Sequence, residues 1–264
     1  MMGSTTSSSE DREKRKQSKA RRVIGGALVL VFWLLVWHLI AAGVGLRLLL
    51  PGPAPVLKRL GQLFATTRFY QTVLFTMGRI LAGFFSAAAV GSLLAALTTS
   101  LPFFHRLLAP LLGVIKATPV ASFILLCLIW LSSSNTVVLC SFLMVLPLIW
   151  ANVSAGIESV DPQLLEMGRV FHFSRWKRIR YLYLPAALPY FTAAVSNGLG
   201  FAWKSGVAAE VLGSPRLSVG RELYSAKITL EFTDLFAWTA VVILVSILME
   251  KFALALIAWM KKRL

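Results

Sequence analysis

After a polar opening, long apolar runs alternate with short polar intervals along the chain. The runs occupy about residues 23–46, 72–98, 107–131, 136–155, 184–209 and 235–259. At about 1.5 Å per residue, each is long enough as an α-helix to cross a hydrocarbon core of roughly 30 Å. The pattern predicts an all-α membrane protein with six transmembrane helices. The first run is too long for the apolar part of a signal peptide. Residues 1–22 carry a Ser/Thr stretch and then DREKRKQSKARR, too poor in apolar groups to fold alone, and are expected to form a disordered basic tail. Residues 23–264 form the membrane domain.

Finer patterning adds three expectations. In the second run Ala82, Ser86, Ala87, Gly91 and Ala95 recur at spacings of four, which marks a face where another helix backbone comes close. Pro110 and Pro119 interrupt the third run, and a kink or break is expected there because each frees a backbone carbonyl. Between the first two runs, LLPGPAPVLKRLGQLF reads as a turn followed by a short amphipathic scaffold helix on the outer surface.

Composition agrees with the membrane reading: 57% of the 264 residues are hydrophobic and 14% charged. The formal charge of +16, from 27 Lys and Arg against 11 Asp and Glu, would point to nucleic acid in a soluble chain. Here the cations collect near run ends instead: Arg12 to Arg22, Arg169 to Arg180, and Lys261 to Arg263. Six spans place these clusters on one side, which the positive-inside rule makes cytoplasmic together with both termini. Arg47, Lys58, Arg59, Arg68, Arg216, Arg221 and Lys227 then lie outside, more thinly spread.

The acids leave a gap from Glu13 to Glu158, so the first four spans hold no carboxylate for intramembrane hydrolysis or for an ion-coupled carrier. Cys127 and Cys140 lie in apolar runs and read as packing residues, and the three histidines His38, His105 and His172 have no metal-ligand spacing with them. The segment GLGFAWKS, 198–205, has the Lys-Ser of a phosphate loop but Trp203 where a glycine is needed, and no strand precedes it.

The interval between the fourth and fifth runs, about residues 156–184, carries the most information. Asp161 before Pro162, and Ser174 before Arg175, are helix-start signals. On the first of these helices Leu164, Leu165, Gly168 and Phe171 share one side, with Glu166 and Arg169 directed elsewhere. An apolar side containing a small residue suits insertion into a groove; a helix lying flat on lipid headgroups is the equal alternative.

These residues resemble the EAA motif of the membrane subunits of bacterial ATP-binding-cassette importers. In that motif Glu-Ala-Ala, three residues, Gly, nine residues, Ile, one residue and Leu-Pro follow in order. Glu166, Met167 and Gly168 take the first places and Leu182, Leu184 and Pro185 the last, at the same spacing, while His172 replaces the glycine. A side chain there either accepts the turn at some cost or continues the helix. LPGPAPVLKRL, TMGRILAGF, IESVDPQLLEMGRVF, WKSGVAAEVLG and EFTDLFAW are similar, in order, to segments of the nitrate, sulfonate and taurine branch.

The resemblance implies a type I importer-like permease in the bacterial cell membrane. Its expected partners are a second copy or close relative, two cytoplasmic ATPase subunits that bind Mg-ATP, and an extracytoplasmic substrate-binding protein, with no cofactor or metal on this chain. The 156–184 loop becomes a coupling loop, in which Glu166 pairs with local cations or amides, Gly168 allows close approach and Pro185 starts the fifth span. The implied solute is a small anion such as a sulfonate, taurine or nitrate. The alternatives are a thiamine-precursor pyrimidine or other small nutrient, or an ATP-independent secondary transporter. Lys116 and Lys204 lie in apolar sequence, where an ammonium at a helix centre costs about 3 kcal/mol on insertion scales. Either they snorkel, or they line the path, with Glu210 as an outer partner of Lys204. Glu210 and Glu250 are both expected near span ends.

Overall fold

The computed structural model describes residues 25–26, 28–29, 31–45 and 49–261. The tail at 1–22 and the cations Arg47, Lys262 and Arg263 lie outside the described residues. Every regular element among the described residues is helical. In order these are α1 (Val31–Val44), α2 (Pro53–Phe64), α3 (Thr67–Ser100), α4 (Pro102–Ala117), α5 (Val120–Trp130) and α6 (Ser133–Glu158). They continue as α7 (Pro162–Val170), α8 (Arg175–Arg178), a π-helical turn (Ile179–Tyr183), α9 (Leu184–Gly213), α10 (Val219–Ile228) and α11 (Phe232–Lys261).

Three of the six expected spans, α3, α6 and α11, are single helices long and apolar enough to cross a membrane. The third expected span is broken: α4 and α5 meet at 104°, and counted as one they bring the number to four. The break falls at Pro119, and Thr118 before it is extended (φ −76°, ψ 131°) because the proline ring excludes the helical region from its predecessor. Pro110 stays inside α4. α9 has 30 residues, about 45 Å at helical rise, but is not among the helices with a long enough stretch of high mean hydropathy. α1 is described over 14 residues.

The core is a bundle of α3, α6 and α9, and small residues set its closeness. A Cβ on Gly83 would fall on the Val138 carbonyl oxygen and 2.8 Å from Ser141 Cβ. One on Gly206 would lie 2.8 Å from Ser141 Oγ, and one on Gly156 2.8 Å from Ala187 Cα. Such approaches bring dispersion contacts between backbones, the force that remains where lipid is as apolar as the side chains. The α3 seam is Gly83, Ala87, Gly91 and Ala95, all buried. Ala82 and Ser86 are exposed, which corrects the expected face: of the two interleaved small-residue rows, only the one continued by Gly83 is used.

These contacts also fix direction. The N-terminal halves of α3 and α6 lie beside the C-terminal half of α9. The opposite end holds the C-terminus of α6 and the start of α9, and so carries α7 and α8. At the Gly206 end, α2 buries Val56, Leu60 and Leu63 in a cluster with Phe69, Val219 and Trp238, and Trp37 of α1 stacks on Phe236 at 5.9 Å. Arg59 forks onto Asp234 at 2.6 and 2.7 Å, tying α2 to the first turn of α11. That hydrogen bond raises the Arg59 guanidinium pKa above its ordinary value.

Candidate functional site

Both helix starts in the loop form as the sequence indicates. Asp161 accepts from the Gln163 amide at 2.8 Å with Pro162 at the first helical position, and Ser174 accepts from the Lys177 amide at 3.3 Å. Between them α7 ends in a Schellman turn. The His172 N–H donates to the Arg169 carbonyl at 3.0 Å and the Phe173 N–H to the Gly168 carbonyl at 2.8 Å. His172 stands at φ +48°, so it accepts the left-handed turn that a glycine would take without strain.

Three expectations for the loop are corrected. Gly168 is buried against its own chain: a Cβ there would lie 3.3 Å from Leu182 Cδ1, with Phe173 next. The close approach it permits is therefore to the buried Leu182, which seats α7 on the approach to α9. The outward apolar side is made by Leu164, Met167, Val170 and Phe171, the last two 73% and 69% exposed, while Leu165 is half-buried. Glu166 is exposed and forms no ion pair or hydrogen bond with any described side chain or amide. Pro185 itself stands in the first turn of α9, with no break in the helix before it. The Leu184 N–H donates to the Ile179 carbonyl in π geometry, so α8, the π turn and α9 run on as one rod from Arg175 to Gly213. Proline lacks the donor for its own helical bond and crowds the carbonyl four residues back, and a locally wider turn accommodates both. Leu184 is exposed beside it.

Along α9, Asn197, Phe201 and Lys204 share an exposed side, while Ala202, Trp203 and Gly206 face the core. Trp203 Nε1 donates to the Val242 carbonyl at 3.1 Å, which sets the level of α9 against antiparallel α11. Lys116 is exposed in the last turn of α4, next to the break. No described ion pair or hydrogen bond joins Lys116, Lys204 and Glu210.

Glu210 is buried and belongs to a different arrangement, which corrects its expected pairing with Lys204. Its Oε1 accepts from Arg79 Nη1 at 3.1 Å, and its Oε2 from Thr76 Oγ1 at 2.9 Å and the Gly220 amide at 3.2 Å. Thr76 Oγ1 accepts in turn from the Val219 amide at 3.0 Å, and Arg79 also donates to the Arg216 and Leu217 carbonyls. One carboxylate thus fastens α3, the end of α9 and the start of α10, across a connection with Ser214 and Leu217 at positive φ. Sequence reasoning passed over Arg79. The available signal was that Arg79 and Glu210 are isolated opposite charges in separate apolar runs, and such charges are costly unless they meet. Glu250 lies near the end of the apolar stretch of α11, Phe232–Ala255, though the helix itself continues to Lys261. Cys127 and Cys140 are buried and unbridged, and among the described residues no group of His, Cys, Asp and Glu has metal-binding geometry.

Comparison with known proteins gives this arrangement a family. The model of the family described as binding-protein-dependent transport system inner membrane component matches residues 87–264. The chain is 29% identical over 199 residues to the riboflavin transport system permease protein RibX of Chloroflexus aurantiacus, covering 73% of this chain and 71% of that protein. It is 26% identical over 226 residues to the nitrate import permease protein NrtB of a Synechocystis species, covering 80% and 81%. Among solved structures, a bacterial ABC transporter involved in the import of the acidic polysaccharide alginate superposes with a TM-score of 0.62 at 14% identity, covering 94% of this chain and 98% of that one. The similarity to that structure is one of fold. A helical core with a capped loop helix at one end, matched over most of its length by one family model, places the chain: it belongs to the binding-protein-dependent transport system inner membrane components.

Proposed function

We propose that this chain is the membrane subunit of an ATP-driven importer that moves a small solute, an organic or inorganic anion, inward by alternating access. ATP is hydrolysed by a partner subunit, and α7 is the element that partner moves. The carrying observation is α7 itself: a short helix fixed at both ends, seated on Leu182 through Gly168, with Leu164, Met167, Val170 and Phe171 outward and no element among the described residues covering them. A helix so fastened transmits displacement because it has no soft joint, and the continuous rod from Arg175 to Gly213 carries it into the core. In this reading α7 lies on the cytoplasmic side, Lys204 faces the solute path from α9, and an extracytoplasmic binding protein delivers solute at the Glu210 end.

Purification in mild detergent, with the chain expressed together with its genomic neighbours, tests the reading. An ATPase subunit is expected at one-to-one stoichiometry. Val170→Asp is expected to lower that retention at least tenfold, because it sets a charge into an apolar contact while leaving the buried face of α7 untouched. A chain that purifies alone and moves solute without ATP overturns the proposal.

A further inference from the structure

Arg169, Arg175, Lys177, Arg178 and Arg180 follow one another along the loop, and no acid stands between Glu166 and Glu210. None of these cations enters the ion pairs among the described residues, which are Arg59–Asp234, Arg68–Glu222 and Arg79–Glu210. Their charge is therefore left uncompensated within the described fold. α7 turns an apolar side outward, but the surface chemistry changes at α8. There Trp176 and Tyr181 are 72% and 62% exposed, and Lys177 and Arg180, which fall between them in sequence, are exposed as well.

The level of this patch follows from the rod. α8 and the π turn run without a break into α9, so Arg180 stands one turn before Leu184, where the apolar run begins. Trp176, Arg180 and Leu184 follow at intervals of four, and all three are exposed. A π turn closes on the fifth residue, so intervals of four stay close to one side, with Lys177 and Tyr181 in the row beside them. Outward from the apolar run that side reads leucine, cation, indole, which matches the layers of a membrane surface: hydrocarbon, phosphate, headgroup. Trp and Tyr rings settle at headgroup level, and Lys and Arg lay their stems along apolar surface while the charge reaches the polar layer.

Two features select the occupant. Uncompensated positive charge calls for an anion, and the exposed aromatic pair continued by Leu184 calls for an anion attached to an apolar tail. A soluble anion would use only the first feature, and an apolar protein groove only the second. We infer that α8 and the π turn form a binding site for an anionic phospholipid, its phosphate between Lys177 and Arg180 and its acyl chains along Leu184. Phosphate accepts charge-assisted hydrogen bonds from both side chains, and the arginine fork engages two of its oxygens at once. A headgroup held there fixes the depth of the foot of the rod, beside the loop through which displacement of α7 enters the core. The inference goes beyond the importer reading and rests on it only for the placing of α8 at the cytoplasmic side.

The test places the full complex, with its ATPase subunit, in vesicles of dibrominated phosphatidylcholine, whose bromines quench tryptophan fluorescence, and adds phosphatidylglycerol. The Trp176 signal is the difference between each form and its Trp176→Phe counterpart, and its recovery measures phosphatidylglycerol displacing phosphatidylcholine at the patch. At about fivefold per cation, the parent should prefer phosphatidylglycerol about twenty-fivefold. Lys177→Gln together with Arg180→Gln should bring the preference to within about twofold of unity, whereas Lys177→Arg together with Arg180→Lys should keep it. Arg169→Gln together with Arg175→Gln removes the same charge from other sides of the loop and should keep most of the preference. Excess glycerol phosphate in solution should not reverse the recovery. A parent preference below about threefold, or an equal loss in the two neutralised pairs, overturns the inference. Displacement by glycerol phosphate overturns it in favour of a soluble-anion site. Loss of the ATPase subunit on neutralising Lys177 and Arg180, with the lipid preference unchanged, overturns it in favour of a contact with that partner. An ATPase subunit missing from the parent complex is the separate failure of the importer reading, since the lipid preference is read on this chain alone.

Discussion

Glu210 offers the most quantitative test of the packing. In Glu210→Met, Arg79 loses its carboxylate, and the Thr76 hydroxyl and Gly220 amide lose an acceptor inside the protein. Removing one member of a buried pair costs about 3–5 kcal/mol. Arg79 keeps two carbonyl acceptors, at 2.8 and 3.2 Å, and its side chain is 15% exposed, so the lower figure applies, about 3 kcal/mol. In Arg79→Met the carboxylate stays fully buried with only two neutral donors, and the cost rises to about 4 kcal/mol. The double variant removes both charges and leaves no uncompensated ion, so its cost is about 4 rather than the additive 7 kcal/mol, a coupling of about 3 kcal/mol. Equilibrium unfolding in mixed micelles of increasing SDS fraction measures all three. A loss of 3 kcal/mol moves the unfolding constant by about two powers of ten. Single variants within 1 kcal/mol of the parent, or an additive double variant, would refute the account of Glu210 as the fastening of α3, α9 and α10.

Two further outcomes follow from backbone geometry. His172→Gly relieves a left-handed residue and should stabilise the α7 turn by about 1 kcal/mol, read as slower hydrogen exchange at the residue 172 and Phe173 amides; His172→Val should speed both. Gly206→Val presses a side chain against Ile80 and Ser141 and should cost about 3 kcal/mol in the same unfolding assay, while Gly200→Ala on the same helix meets open space and should be neutral or gain up to about 1 kcal/mol.

Much of the architecture was legible because it depends on local rules. Apolar runs mark the long helices, Asp161 and Ser174 mark two helix starts, and Pro119 marks the break. The spacing around Glu166 points to the family. What escaped depends on which face of a helix meets which neighbour. Two small-residue rows on α3 differ by one position, and only the partner α6 decides that Gly83 rather than Ala82 is in the seam. Leu164 and Leu165 likewise share a helical stripe with Gly168, yet the fold of the loop onto Leu182 turns Gly168 inward and leaves Met167 and Val170 outside. The Arg79–Glu210 pair joins positions 131 residues apart, beyond the reach of any periodicity argument.

The π turn at Ile179–Tyr183 has a consequence for phase. A π turn is an α-helix holding one residue more than its regular path needs, and one residue corresponds to about 100° of rotation. Loop and α9 are therefore geared to each other at a fixed angular offset as well as a fixed distance. Deleting a single residue there would let the turn close as ordinary α-helix and leave α7 and α8 near their present bearing, whereas the same deletion in the α-helical part of the rod would swing them about 100° around the α9 axis and carry the outward apolar side away. The angular register of the loop, more than its chemical composition, then decides which way the rod is driven.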